Sequence, residues 1–222
     1  MYAAATDDTR PILKTICVDK DNFVALDGFR LALRPHGEFD TEFDDFQVNI
    51  PLELMDLYKK LGNKDKDVEL YSGNDNVALK VDNILLEIRA IAGKFMNYKA
   101  LLPKEHTKTA RFNAKAILDT LKSYGNCKFV KMDFELNKLT LKVNTPECSI
   151  KDEFDIEYKG DNMEIAFNPK YLMDILKIHK DDEVVMKMNG PVNMAVIVDD
   201  FLEEKYDIVL PIRIRREGGT NE

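Results

Sequence analysis

A chain of 222 residues with 45% hydrophobic content is long enough to bury one or two cores without disulfide staples. Its 32 lysines and arginines against 40 acidic residues leave a net charge of −8, which argues against a protein that grips nucleic acid over its whole surface. Cys17, Cys127 and Cys148 are odd in number and lack metal-ligand spacing, and there is neither an apolar run of about 18 residues nor a signal-peptide pattern, so idle thiols in a cytoplasmic protein are expected.

In chain order, Tyr2-Ala3-Ala4-Ala5-Thr6 reads as the last turn of a helix, and strands are predicted at 12–18, 22–26 and 30–33. Residues 50–60 then combine a short strand end, a helix-opening Pro51 and about three turns with apolar residues at helical spacing. Strands at 68–71, 77–81 and 84–91 follow, separated by turn residues such as Gly73-Asn74-Asp75-Asn76. The segment Phe112-Asn113-Ala114-Lys115-Ala116-Ile117-Leu118-Asp119-Thr120-Leu121-Lys122 repeats the pattern with Asn113 as cap, and strands at 128–134, 139–143 and 154–158 come after it. The pattern returns 55 positions later (112 to 167) as Phe167-Asn168-Pro169-Lys170-Tyr171-Leu172-Met173-Asp174-Ile175-Leu176-Lys177, with Phe, Asn, Lys, Asp, Leu and Lys in register. Its strands lie at 184–188, 194–198 and 206–210.

The strand runs alternate with period two, as in sheets with one buried and one wet face. The unit is therefore strand, helix, three strands, present three times and preceded by a copy without its opening strand and most of its helix. An α+β fold of two domains, 1–105 and 106–222, is predicted.

Catalytic chemistry is thinly supplied. His36, His106 and His179 are scattered, no glycine-rich phosphate loop is present, and no serine or cysteine has an adjacent base. No cofactor and no metal are expected. The acids within 38–45 form either a solvated connection, with Phe39, Phe43 and Phe46 turned inward, or a divalent-cation site of a metal-dependent DNA-processing enzyme. The helices carry Lys59 and Lys60, Lys115 and Lys122, and Lys170 and Lys177. These are ordinary solvated faces, or one electrostatic surface for DNA if the helices share a side.

Four ordered segments carry a family resemblance: Ala25-Leu26-Asp27-Gly28-Phe29-Arg30-Leu31-Ala32, Gly93-Lys94-Phe95-Met96-Asn97-Tyr98-Lys99-Ala100-Leu101-Leu102-Pro103, Met163-Glu164-Ile165-Ala166-Phe167-Asn168-Pro169-Lys170-Tyr171-Leu172, and Val209-Leu210-Pro211-Ile212-Arg213. Together they resemble the second and third domains of the bacterial DNA polymerase III beta subunit, the sliding clamp. The resemblance implies a DNA-clamp fold and a non-catalytic processivity factor. In that family three such domains make a subunit, and two subunits close head to tail around double-stranded DNA with helices lining the hole.

It also implies a groove between the two domains that receives peptides of the type Gln-Leu-x-Leu-Phe from the replicative polymerase, the clamp loader and repair proteins. Carried over by motif, its walls are Leu13, Leu26, Gly28, Phe29, Arg30, Leu31, Met96, Ala100 and Leu101 from the first domain. The second domain adds Asn168, Tyr171, Val192, Met194, Val209, Leu210, Pro211, Ile212 and Arg213. Where the family often has Thr, His and Arg, this chain has Leu26, Phe29 and Ala100, and residues 214–222 extend past the usual end. Ring closure in the family joins the first domain to the third domain of a partner. A monomer or irregular association is therefore expected here, with a strand edge near 12–18 uncovered.

Overall fold

The computed structural model describes residues 2–37, 46–62, 66–144, 149–180, 183–200 and 205–214, and the chain divides into two units, Met1–Leu102 and Pro103–Glu222. In the first, residues 2–4 form a turn rather than the predicted helical one. Ala3 and Ala4 are buried there against Ala25 and Ala32, with Tyr2 and Leu52 packed around this alanine cluster. The predicted strand at 12–18 is also divided. A 3₁₀ turn occupies Pro11–Lys14, because Pro11 lacks the N–H a strand would use and the Thr15 hydroxyl donates to the Ile12 carbonyl at 2.6 Å.

Strand β1 (Thr15–Asp19) begins after that turn. It joins β2 (Asn22–Leu26), β3 (Arg30–Pro35) and β4 (Gln47–Pro51) in the antiparallel order β4-β1-β2-β3. Cys17 faces Asn49 on one side and Val24 on the other, so β1 is an interior strand and every one of its residues is buried. The expected uncovered edge near 12–18 is thus corrected: the partner strand β4 arrives from about thirty residues downstream and closes it. Helix α1 (Leu52–Lys60) follows, then β5 (Glu69–Ser72), β6 (Asn76–Val81) and β7 (Ile84–Arg89), with β6 in the middle of a three-stranded sheet. Leu54 of α1 meets Val18, Ile50, Val77 and Leu79 in the core of this unit.

The second unit contains two complete strand, helix and strand series. The first runs β8 (Lys108–Asn113), α2 (Ala114–Ser123), β9 (Val130–Glu135), β10 (Lys138–Asn144), β11 (Ser149–Asp155) and β12 (Glu157–Lys159). The second runs β13 (Met163–Phe167), α3 (Pro169–Ile178), β14 (Glu183–Met188), β15 (Ala195–Asp199) and β16 (Tyr206–Val209). The sheets exchange opening strands. β13 pairs with β9 in the order β11-β10-β9-β13, and β8 pairs with β14 in the order β12-β8-β14-β15-β16.

The single strand predicted at 154–158 is two strands in two sheets. Asp155 still pairs with β10 and Glu157 already pairs with β8, while the buried Ile156 between them donates its N–H to the Asn137 carbonyl at 3.2 Å.

Both helices of this unit begin as their sequences require. The Asn113 side chain accepts from the Ala116 N–H and the Asn168 side chain from the Lys170 N–H, each at 3.0 Å, and Pro169 opens α3 at a position needing no N–H. Ala114, Ile117, Leu118 and Leu121 of α2, and Pro169, Leu172, Ile175 and Leu176 of α3, make the buried stripes by which the two helices pack together. At the end of α3, His179 and Asp207 of β16 are both fully buried, with Nε2 and Oδ2 2.8 Å apart, which ties helix to sheet.

Candidate functional site

Between β2 and β3 the chain reverses through Asp27-Gly28-Phe29-Arg30. One Asp27 oxygen accepts the N–H groups of Phe29 and Arg30 at 2.9 and 3.0 Å, and the other accepts Nε of Arg30 at 2.9 Å. Gly28 supplies the left-handed conformation of this reversal, at φ +91°. The Phe29 ring consequently stands 57% exposed, while Leu26 and Leu31 on either side are buried. Arg30 is not a loose cation: its guanidinium is held by Asp27 and lies over the Tyr2 ring, 5.5 Å from the centroid.

Leu13 is buried in the turn before β1, and a non-strand segment after β7 brings the remaining first-unit residues. Phe95 and Tyr98 are buried anchors. Met96 and Leu101 stay 36% and 40% exposed, and Ala100 is exposed. A 3₁₀ turn, Tyr98–Leu101, ends the segment.

In the second unit, Val192 in the β14–β15 connection is exposed and Met194 half-buried. After β16, with Val209 fully buried, Leu210 and Arg213 are exposed and Pro211 and Ile212 half-buried. The Ile212 N–H donates to the Ala166 carbonyl at 2.7 Å and fixes this last stretch beside β13. Asn168 is occupied in capping α3, and Tyr171 is half-buried on the same helix. Each unit thus displays apolar side chains on loops held from beneath by buried neighbours.

The helix lysines divide into two groups. Lys59, Lys122 and Lys177 each pair with an aspartate three residues earlier on the same helix, Asp56, Asp119 and Asp174, at 3.1, 2.8 and 3.0 Å. Lys60, Lys115 and Lys170 are exposed and have no ion-pair partner among the described residues. The signal was present as an Asp-x-x-Lys repeat in all three helices. It halves the positive character of these faces.

Burial pushes the Cys17 thiol up to about 12, with the charge of Asp19 adding to it, so this thiol is inert at neutral pH. No three His, Cys, Asp or Glu side chains among the described residues are grouped to hold a metal ion. The acidic segment 38–45, Cys148 and residues 215–222 lie outside the described residues.

Family models settle the kinship. The model for "DNA polymerase III beta subunit, central domain" matches residues 1–97, and that for "DNA polymerase III beta subunit, C-terminal domain" matches residues 99–213. The chain belongs to the DNA polymerase III beta subunit family. The beta sliding clamp of Vibrio cholerae is 26% identical over 230 residues, 96% of this chain and 61% of that protein. The beta sliding clamp of Escherichia coli K12 is 28% identical over 204 residues, covering 86% of this chain and 54% of that one.

In fold, the crystal structure of the DNA polymerase III subunit beta from Pseudomonas aeruginosa matches with a TM-score of 0.89 at 22% identity, over 96% of this chain and 61% of that one. The chain therefore has the mixed helix and sheet architecture of beta clamps, and it spans about three fifths of the length of the V. cholerae relative. Among the described residues, no helix is long and apolar enough to cross a membrane.

Proposed function

We propose that this protein acts in the cytoplasm as a DNA polymerase processivity clamp, or as part of one, and that it tethers polymerase, clamp loader and repair proteins to DNA through a short peptide of the type Gln-Leu-x-Leu-Phe. The observation that carries the reading is the set of exposed apolar side chains at the family's motif positions: Phe29, Met96 and Leu101 in one unit, Val192 and Leu210 in the other. Large apolar groups held in water on ordered loops are a ready surface for the Leu and Phe of an incoming segment, and methionine adapts to irregular partners. The role is non-catalytic and needs no cofactor.

Contact with DNA is proposed to be weak and topological. The surface is acidic overall, and three of the six helix lysines are already paired.

The test is fluorescence polarisation with a labelled peptide carrying Gln-Leu-x-Leu-Phe. Micromolar affinity, about −8 kcal/mol, is expected. Met96→Ala together with Leu210→Ala should weaken it by roughly 1 to 3 kcal/mol through lost apolar contact. Unchanged affinity in that double variant would mean that the peptide lies elsewhere.

A further inference from the structure

The segment after β7 that carries Met96 and Leu101 has no strand pairing of its own, yet its exposed side chains must be placed accurately if they are to receive a peptide. Its fixed points are few. Gly93, at φ +131°, lets the chain pass against Ile12, whose Cβ would lie 3.7 Å from a side chain added there. Phe95 and Tyr98 are inserted at 2% exposure each, and the Met96 carbonyl accepts from the Tyr98 N–H at 2.8 Å. A cavity of about 190 Å³ is lined by Asp19, Gln47, Phe95, Met96 and Tyr98, so close packing does not hold Met96 from every side.

The remaining hold is polar and comes from the first hairpin. The Tyr98 hydroxyl donates to Oδ2 of Asp19 at 2.7 Å, and the Asn22 side-chain amide donates to that hydroxyl at 3.3 Å. The other Asp19 oxygen accepts the N–H groups of Asp21 and Asn22, both at 3.0 Å. Lys99 reaches Asp21 at 3.0 Å and Asp19 at 3.5 Å. Two stretches nearly eighty residues apart in sequence are thereby joined by a buried carboxylate with both oxygens occupied. Such networks fix a single geometry at the price of leaving a costly orphan if one member is removed.

We infer that Asp19 and Tyr98 are positioning residues for the peptide surface: they hold Met96 and Leu101 in their receiving arrangement before the peptide arrives. The inference rests on the peptide-binding reading above. Preorganisation of this kind raises affinity by removing the cost of ordering the loop on binding. Burial, together with the hydrogen bond to Asp19, pushes the Tyr98 phenol up to about 12, consistent with a proton that stays on tyrosine and is donated.

The test uses the full chain and the same labelled peptide with wild type, Met96→Ala/Leu101→Ala, Tyr98→Phe, and the triple variant. Tyr98→Phe keeps the buried ring and removes only the hydroxyl. It should weaken peptide binding about three- to ten-fold while the protein stays folded by near-ultraviolet circular dichroism, and amide exchange at 96–101 should quicken in the free protein. In the Met96→Ala/Leu101→Ala background the same change should cost less than about two-fold, because nothing remains to be positioned. A general loss of stability would act equally in both backgrounds, and that result overturns the inference. Wild-type affinity in Tyr98→Phe, with Met96→Ala/Leu101→Ala clearly weakened, overturns the inference and leaves the peptide reading standing. Unchanged affinity in Met96→Ala/Leu101→Ala overturns the peptide reading itself.

Discussion

Asp19 illustrates how one side chain can hold opposing influences. Burial pushes its carboxyl upward, but hydrogen bonds from Tyr98 and from the Asp21 and Asn22 backbone, with the charge of Lys99, outweigh it and leave the group below its ordinary 3.8. A carboxyl lowered on folding adds stability above its unfolded pKa, and that stability is lost as pH falls through the folded value. The difference in urea stability between wild type and Tyr98→Phe should therefore hold steady, at about 1 kcal/mol, from near-neutral pH down to about 5. Below 3.8 it should narrow as Asp19 takes up a proton. A gap that widens on acidification would mean that Tyr98 bonds preferentially to the neutral acid.

Among the elements, α2 and α3 start by the same device, an asparagine whose side chain accepts a first-turn N–H. Asn113→Ala and Asn168→Ala should each lower stability by about 1 kcal/mol, read from urea midpoints at unchanged slope. Helix α1 opens on Pro51 with no side-chain cap, so no equivalent single substitution exists there. The Asp56–Lys59 and Asp119–Lys122 pairs are exposed and Asp174 of the third is half-buried, so solvent screening leaves these pairs only a small part in helix stability. Their larger effect is electrostatic, since each offsets the charge of a lysine.

For the molecule as a whole, this cancellation leaves Lys60, Lys115 and Lys170, which have no ion-pair partner among the described residues, as the lysines expected to matter in any contact with DNA. Association with a labelled DNA duplex should be weak and should fade with added salt. Lys115→Gln with Lys170→Gln should flatten the salt dependence by about two units of slope, more than Lys59→Gln with Lys177→Gln. Equal effects from both pairs would show that the intrahelical aspartates are displaced on contact. By light scattering, a 222-residue polypeptide of this sequence should have the 25.5 kDa mass of a monomer, since β4 covers the side of β1 that would otherwise be a bare strand edge. A stable closed ring would overturn this expectation.

Sequence alone determined whatever local chemistry dictates. The helical stripes at 114–121 and 169–176, the asparagine caps and most strands follow from periodicity and capping within a dozen residues, and the 55-residue repeat announced the shared unit. Membership of the clamp family was legible for the same reason, in four short segments in fixed order. Tertiary structure decided what depends on neighbours distant in sequence. Period-two alternation runs straight through Ile156, so it cannot reveal that β11 and β12 belong to different sheets. Interior and edge strands look alike until a partner is known, and β4 made β1 interior. The motif named Met96, Leu101 and Leu210 as candidates, but only the folded chain showed Asp27 holding Arg30, Asp19 holding Tyr98 and His179 paired with Asp207. A buried polar group must find its partner in space, and the last two of those pairs join residues 79 and 28 positions apart, a separation on which no local pattern can bear.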